Sequence, residues 1–173
     1  SRVSVGGQID FDLVYWKFDA QGKLLYKVYL GGLGWEEPGR MVADGNGNLF
    51  LTGTSNSSDY PVSANPCRGP NTDLILTKLG PTGAILASRC LGGVRAESVA
   101  GIGIDNAGAV YVGGTTESND FPTTAGVFQT QPRMPDAKCG FVAKFDPASL
   151  VLSLSTLLGG FGDMQVHDMA LEP

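Results

Sequence analysis

The chain has 173 residues, of which 42% are hydrophobic and 17% charged, with 25 glycines and 10 prolines. That is enough apolar content for a packed core and too little charge for a disordered, solvated chain. A net charge of −5 and twelve scattered Lys and Arg argue against a phosphate-binding surface, and so against a nucleic-acid partner.

No apolar stretch approaches the roughly 20 residues of a membrane-spanning helix, and no signal peptide is visible, although the first residue is Ser1 rather than Met. Cys67, Cys90 and Cys139 lack the close pairs of a metal site. One disulfide with one free thiol fits them, and so do three reduced thiols. Low charge, Thr/Ser/Asn/Gly-rich loops and an acidic pI lean towards a protein outside the cytoplasm.

In chain order, Ser1–Gly7 reads as a short strand with Val3 and Val5 on one face. Leu13–Phe18 is apolar at nearly every position, the pattern of a strand covered on both faces. Asp19-Ala20-Gln21-Gly22 fits a type I turn, and Lys23–Leu30 is the next strand. Leu33–Gly39 is expected to be a loop holding Trp35, Glu36 and Glu37, followed by a short strand at Arg40–Ala43. Asp44-Gly45-Asn46-Gly47 is a hairpin turn, because Asp, Asn and Gly tolerate positive φ. Asn48–Gly53 returns as a strand, and a polar loop from Thr54 to Thr72 carries Asp59-Tyr60-Pro61.

From there the pattern repeats. Asp73–Leu79 and Ala84–Leu91 answer the strands at Leu13–Phe18 and Lys23–Leu30, and Gly80-Pro81-Thr82-Gly83 answers their turn. Ile102–Asp105, Val110–Gly114 and Asp120-Phe121-Pro122 answer Met41–Asp44, Phe50–Gly53 and Asp59-Tyr60-Pro61. A longer loop, Thr123–Lys138, precedes strands at Phe141–Phe145 and Leu150–Leu158, joined by a turn at Asp146-Pro147-Ala148-Ser149. Leu30-Gly31-Gly32, Leu91-Gly92-Gly93 and Leu158-Gly159-Gly160 each close a unit, and Lys17, Lys78 and Lys144 stand at matching places before them. The lysine-to-leucine spacing is one residue longer in the third case.

A period of about sixty residues with four short antiparallel strands per period is the mark of β-propeller blades. The expected architecture is all-β, with about three four-stranded blades. With strands lettered a to d from the axis outward, the chain starts at strand b and ends at strand a. The chain is a single repeat region, 1–173, with units at 1–32, 33–93, 94–160 and 161–173, the last beginning a further blade. Gly-Gly at each joint is expected to supply unusual backbone angles.

Residues 101–122, Gly-Ile-Gly-Ile-Asp-Asn-Ala-Gly-Ala-Val-Tyr-Val-Gly-Gly-Thr-Thr-Glu-Ser-Asn-Asp-Phe-Pro, resemble the bacterial "seven-bladed β-propeller" (SBBP) repeat. Phe141–Asp146 and Leu158-Gly159-Gly160 resemble that family's Phe-Val-x-Lys-Leu-Asp and Leu-Gly-Gly ending. The family's Asp-Ala-Phe is Asp12-Leu13-Val14 and Asp73-Leu74-Ile75 here, but Cys139-Gly140-Phe141 in the last unit. The resemblance implies a large bacterial secreted or cell-surface protein, and it implies no catalytic residues.

Three blades are too few to close, since propellers usually have four to eight. Completion is expected from a homo-oligomer, two chains forming a six-bladed ring, or from the remainder of a longer propeller. An open arc against another chain is the third arrangement. Unpaired strand edges should be covered.

The b–c and d–a loops share one face, which makes Trp35, Glu36, Glu37, Arg95, Glu97 and His167 the candidate binding residues. Glu36-Glu37 could serve as an acid/base pair, but adjacent carboxylates in a loop are more often solvated. Asp44–Asn48 lacks the twelfth-position Glu of a calcium loop, so turn chemistry explains it better. His167 is the single histidine and is expected to be packed or hydrogen-bonded. Asp59 and Asp120 are expected to cap a turn through backbone N–H groups. The lysines recur with the blade, which marks them as structural, whereas Trp35 breaks the repeat because its counterparts are Ala96 and Asp163. The sequence therefore indicates a non-catalytic binding or scaffold module, without cofactor or metal, for a protein or glycan ligand. The alternatives are a glycan-active module and a filament or surface-layer subunit.

Overall fold

The computed structural model describes residues 12–64, 66–68 and 71–172. The expected strand at Ser1–Gly7 lies outside them. Among the described residues there are ten strands and no helix: β1 Leu13–Phe18, β2 Leu24–Leu30, β3 Glu36–Ala43, β4 Leu49–Ser55, β5 Asp73–Leu79, β6 Ile85–Leu91, β7 Glu97–Ile104, β8 Val110–Thr116, β9 Cys139–Phe145 and β10 Leu152–Leu158. They form a two-stranded sheet, β1–β2, and two four-stranded meanders, β3–β4–β5–β6 and β7–β8–β9–β10, antiparallel throughout. These are blades in register with the sixty-residue period, set side by side in an open arc. The inner strands of the two full blades are neighbours, and Arg40 Nε on β3 donates to the Ala100 carbonyl on β7 at 3.4 Å.

The turns follow the side chains that make them. Asp44 Oδ1 accepts the amides of Asn46 and Asn48, both at 2.9 Å, and Gly47 takes φ +80°. Asp19 and Asp105 do the same, with Gly22 and Gly108 at the left-handed position. The turn after β9 has no such glycine and is one residue longer. Its amide-to-carbonyl bond runs from Leu150 to Asp146, and Leu150 itself takes φ 55°. This is the extra residue between Lys144 and Leu158.

Strand β3 begins at Glu36, four residues before the expected start. Pro38 breaks the pattern because a proline cannot donate to a ladder, but β3 is an edge strand of its sheet. The pairing with β4 shifts register between Pro38 and Met41, a bulge that absorbs the Pro-Gly pair.

Two cores lie between the three sheets. Leu13, Tyr15 and Leu30 on the two-stranded sheet pack with Leu51, Tyr60, Ile75, Leu79 and Cys90. Phe50, Leu74, Leu76, Ala87 and Leu91 on the opposite face of the same blade pack with Val110, Val112, Phe141, Ala143, Phe145 and Leu157. Each such large side chain contributes about 1.5–3 kcal/mol through burial. Strand β5 is therefore covered on both faces, as its continuous apolar run requires. Strand β1 is not: Val14, Trp16 and Phe18 are 42%, 62% and 51% exposed, beside Leu25 and Tyr29 on β2. Of their counterparts one period on, Ile75, Thr77, Leu79 and Cys90 are buried, while Leu86, which answers Leu25, stays 52% exposed.

The long loops fold back along the outermost strands. Ser63 donates its amide to the Ser88 carbonyl at 2.8 Å, and Ala64 bridges Arg89, so the first loop lines the free edge of β6. In the next blade, Thr124 and Gln129 pair in the same way with Ser155 and Leu157 on β10. Open ladder groups that would template another chain are thereby satisfied. A disulfide between Cys67 and Cys90 pins the first loop to β6, while Cys139 is a buried free thiol. Gln129 replaces that bond in the second blade, with its Oε1 accepting the Gly159 amide at 3.0 Å.

The disulfide closes a loop with a sequence separation of 23 residues, for which chain-entropy arguments give about 3 kcal/mol. Urea unfolding with and without reductant should show a stability loss of about 2–4 kcal/mol, and Cys67→Ser with Cys90→Ser should match the reduced protein.

Candidate functional site

The first two Gly-Gly joints each bury a glutamate among hydroxyl groups. At the second joint the chain leaves β6 through Gly92-Gly93 and enters β7 at Glu97. Glu97 Oε1 accepts the hydroxyls of Thr116 and Ser118 at 2.8 and 2.7 Å. Asp120 Oδ1 accepts the Val94 amide at 2.9 Å, and Ser118 Oγ accepts the Arg95 amide at 2.9 Å. The first joint repeats this. Ser55 and Ser57 donate to Glu36 Oε1 at 2.7 and 2.5 Å, Asp59 holds the Leu33 amide and Ser57 holds the Gly34 amide.

Asp59 and Asp120 do accept backbone amides as expected, but from a segment 26 residues away rather than from their own turns. The aromatic residue after each is an anchor: Tyr60 and Phe121 are both 3% exposed, and Phe121 stacks on Phe141 at 4.6 Å. Each Ser-x-Asp-aromatic-Pro stretch thus bolts an incoming d–a connection to the blade it enters.

The joint glycines are not at left-handed angles, which corrects the expectation of unusual backbone geometry; Gly31, Gly32, Gly92 and Gly93 are absent from the positive-φ residues. They are needed because there is no room for a side chain. A Cβ on Gly92 would collide with Asp73 and Glu97, one on Gly93 with Asp120 and Ser118, and one on Gly31 with Asp12 and Glu36.

This geometry divides the six candidate residues. Glu36 and Glu97 are 3% and 4% exposed, and each accepts the hydroxyls that hold its joint. Adjacent strand residues point to opposite sides, so Glu37 is exposed while Glu36 is buried, and the proposed acid/base pair is separated. Arg95 is exposed and forms an ion pair with Asp136 at 2.6 Å. Trp35 is 50% exposed, and its amide donates to Asn56 Oδ1 at 2.6 Å. His167 is exposed rather than packed. Its segment, 161–172, forms no strand, yet it lies on the second full blade: Val166 donates to Thr115 Oγ1 at 2.9 Å, and Met169 fills the space over Gly101 and Gly113. Lys17 and Lys78 reach the turns of the next blade, at the Gly47 and Pro147 carbonyls, which is the structural role that their repetition suggested. Among the described residues no group of three His, Cys, Asp or Glu could hold a metal ion.

A cleft of about 450 Å3 opens between the two full blades. Its apolar walls include Pro66, Leu91, Pro122 and Phe145, and its polar groups are Arg68, Arg89 and Asp73. Arg68 approaches Asp120 at 3.4 Å, and Arg89 Nε donates to the Ser149 carbonyl at 3.2 Å. Asp73 is fully buried, accepts the Arg68 amide, and has its carboxyl pushed above the usual range by burial. Burial likewise pushes the Glu97 carboxyl up to about 7. Sequence reasoning missed this cleft because Arg68 and Arg89 come together only when a loop folds back on β6. Their one available signal was asymmetry: Arg89 stands where the neighbouring units have Val28 and Thr156.

Replacing Gly92 with Ala should destabilise the protein by about 1–3 kcal/mol through overpacking. Gly45→Ala, at a site with no atom within 4 Å, should change the unfolding midpoint little in the same urea titration.

No curated protein matches the chain. Residues 89–122 match the family described as the SBBP beta-propeller repeat, a span that runs from the end of β6 through the second joint to Pro122. The matched segment thus includes Gly92-Gly93, Glu97, Ser118 and Asp120, the residues that join one blade to the next, and the chain carries an SBBP β-propeller repeat there.

Proposed function

We propose that this chain is a non-catalytic propeller module that works outside the cytoplasm and binds a carboxylate-bearing ligand in the cleft between its blades. One observation carries the reading. The side chains that recur with the period are mostly engaged in joining blades, whereas the cleft holds two guanidinium groups, Arg68 and Arg89, of which Arg89 stands at a position that breaks the repeat. Arginine pairs with carboxylates through a planar fork of donors, and a cleft of this volume with apolar walls and few polar groups is of the usual kind for small ligands. The Cys67–Cys90 bond favours an oxidising compartment. Separation of Glu36 from Glu37 favours binding over glycan hydrolysis.

The bare face of β1–β2 supports a second element of the reading, completion of the arc by another blade. Val14, Trp16, Phe18, Leu25 and Tyr29 form an apolar patch on an open sheet face. Homo-oligomerisation into a ring, or a further part of a longer propeller, would cover it. A surface-layer or filament role would follow if such contacts failed to close.

An array of neutral and acidic glycans and peptides tests the binding. Carboxylate-bearing ligands should be retained without turnover, and Arg89→Ala should weaken retention at least about tenfold, the loss of roughly one charged hydrogen bond. Turnover that Glu37→Gln abolishes would overturn the non-catalytic reading, and retention indifferent to Arg89 would overturn the site. Light scattering with electron microscopy tests completion by further copies of the chain: the expected result is an assembly that Trp16→Glu dissociates, and a chain that stays monomeric with the patch exposed would contradict homo-oligomerisation.

A further inference from the structure

The joint between the two full blades holds an unsolved pairing problem. Glu97 Oε1 is doubly bonded by Thr116 and Ser118, but Glu97 Oε2 is buried and makes no well-formed hydrogen bond; the Gly93 amide beside the carboxyl favours its ionised form, an influence smaller than the opposing one of burial. A buried carboxylate oxygen without a donor is costly. Asp73 Oδ1 crowds the same space, since a Cβ on Gly92 would collide with both oxygens. Asp73 is itself 1% exposed, and its Oδ2 accepts the Arg68 amide. Two buried carboxyl groups at such close quarters do not both ionise readily.

The repeat supplies independent evidence that the two acids act as a unit. At the first joint Asp12 and Glu36 likewise flank Gly31, although there Glu36 Oε2 accepts the Gly32 amide at 3.4 Å. At the third joint Met164 donates its amide to the Lys138 carbonyl, as Glu97 does to Thr72, so Met164 stands in the place of Glu97 and Cys139 in that of Asp73. The glycine between them, Gly159, is retained and faces the Cys139 sulfur. Both carboxyl groups are present at two joints, and both are replaced by sulfur side chains at the third.

We propose that Glu97 and Asp73 share one proton, with Glu97 Oε2 donating to Asp73 Oδ1, and that this hydrogen bond is a pH-sensitive latch at the joint between the two blades. One proton and one negative charge are then distributed over the pair, and the orphan oxygen becomes a donor. Charged groups face the pair from several elements. Arg68 faces Asp73 from the preceding blade's loop, with Asp120 beyond it. Glu37 lines one crevice that reaches Glu97, and Glu117 with its ion-pair partner Lys138 lines another. Asp73 and Gly92 also line the cleft, so the latch sits at its wall; the proposal does not depend on what the cleft binds.

The sign of the pH effect follows from the proton count. The folded chain keeps a proton on Glu97 that an unfolded glutamate, with its ordinary value of 4.5, has released. The stabilisation is complete below that value and is lost as pH rises through about 7. Urea unfolding of the wild type between these limits should show the unfolding constant rising by up to about 100-fold. Glu97→Gln keeps an acceptor for the two hydroxyls and offers an amide N–H to Asp73, and it should flatten that part of the profile. A Glu97→Gln profile with the wild-type slope would overturn the latch. Carbon-13 NMR of the wild type alone gives a second readout that needs no variant. One glutamate carboxyl should titrate near neutrality, and titration of every glutamate in the ordinary carboxylate range would overturn the proposal. Hydrogen exchange should loosen with pH at β6 and β7 but not at the Cys139–Met164 joint, and equal loosening at both would count against it.

Discussion

The fold depends on a steric constraint at the joint between blades. The chain must pass from the outermost strand of one blade to the innermost strand of the next, over a pair of buried acids. Only glycine leaves room for them, and the backbone amides of the incoming segment, Val94 and Arg95, find their acceptors in Asp120 and Ser118 beside them. Glu97 and Asp120, assisted by Ser118, make the second joint, and Glu36 with Asp59 and Ser57 makes the first. Each joint locks one sheet against the next with the same small set of groups, and the two apolar cores lie between sheets that these joints hold in place.

Edge protection is the second organising need. A four-stranded blade has a free outer edge, and here the blade's own long b–c loop runs along it. The first blade adds a disulfide and the second a glutamine, two chemically unrelated ways of fixing a loop to a strand. Length in these loops therefore serves covering as well as display. It also builds the inter-blade cleft, since Pro66 and Arg68 belong to one loop and Pro122 to the other.

The strands and turns were largely legible from the sequence because their causes are local. Local pattern, Asp-x-x-Gly spacing and the sixty-residue period placed β1 and β5 to the residue and most other strands to within two, but β3 and β7 start four and five residues earlier than expected. Strand β3 was shortened because Pro38-Gly39 reads as a loop, and only pairing with β4 shows that an edge bulge accommodates it. The candidate site was less legible. Glu36 and Glu37 look alike in sequence, and the pleat sends one inward and the other outward. Glu97 looks like a loop acid until the hydroxyls of Thr116 and Ser118 are seen to converge on it. Arg68 and Arg89 attracted no notice because their meeting depends on a loop path that no local pattern encodes.

By itself the sequence determined the architecture of this protein: an all-β repeat with its sixty-residue period, its tight turns and the residues that recur at the first two joints. Periodicity can do this because strand pleat and turn chemistry act over a few residues. Tertiary structure alone decided what the recurring acids and glycines are for, which sheet faces are covered, and where the two blades differ. Those outcomes turn on burial and on contacts between groups some 20 to 60 residues apart, such as Asp120 with Val94 or Arg40 with Ala100. Burial changes the chemistry of a carboxyl group in a way its neighbours in sequence do not reveal.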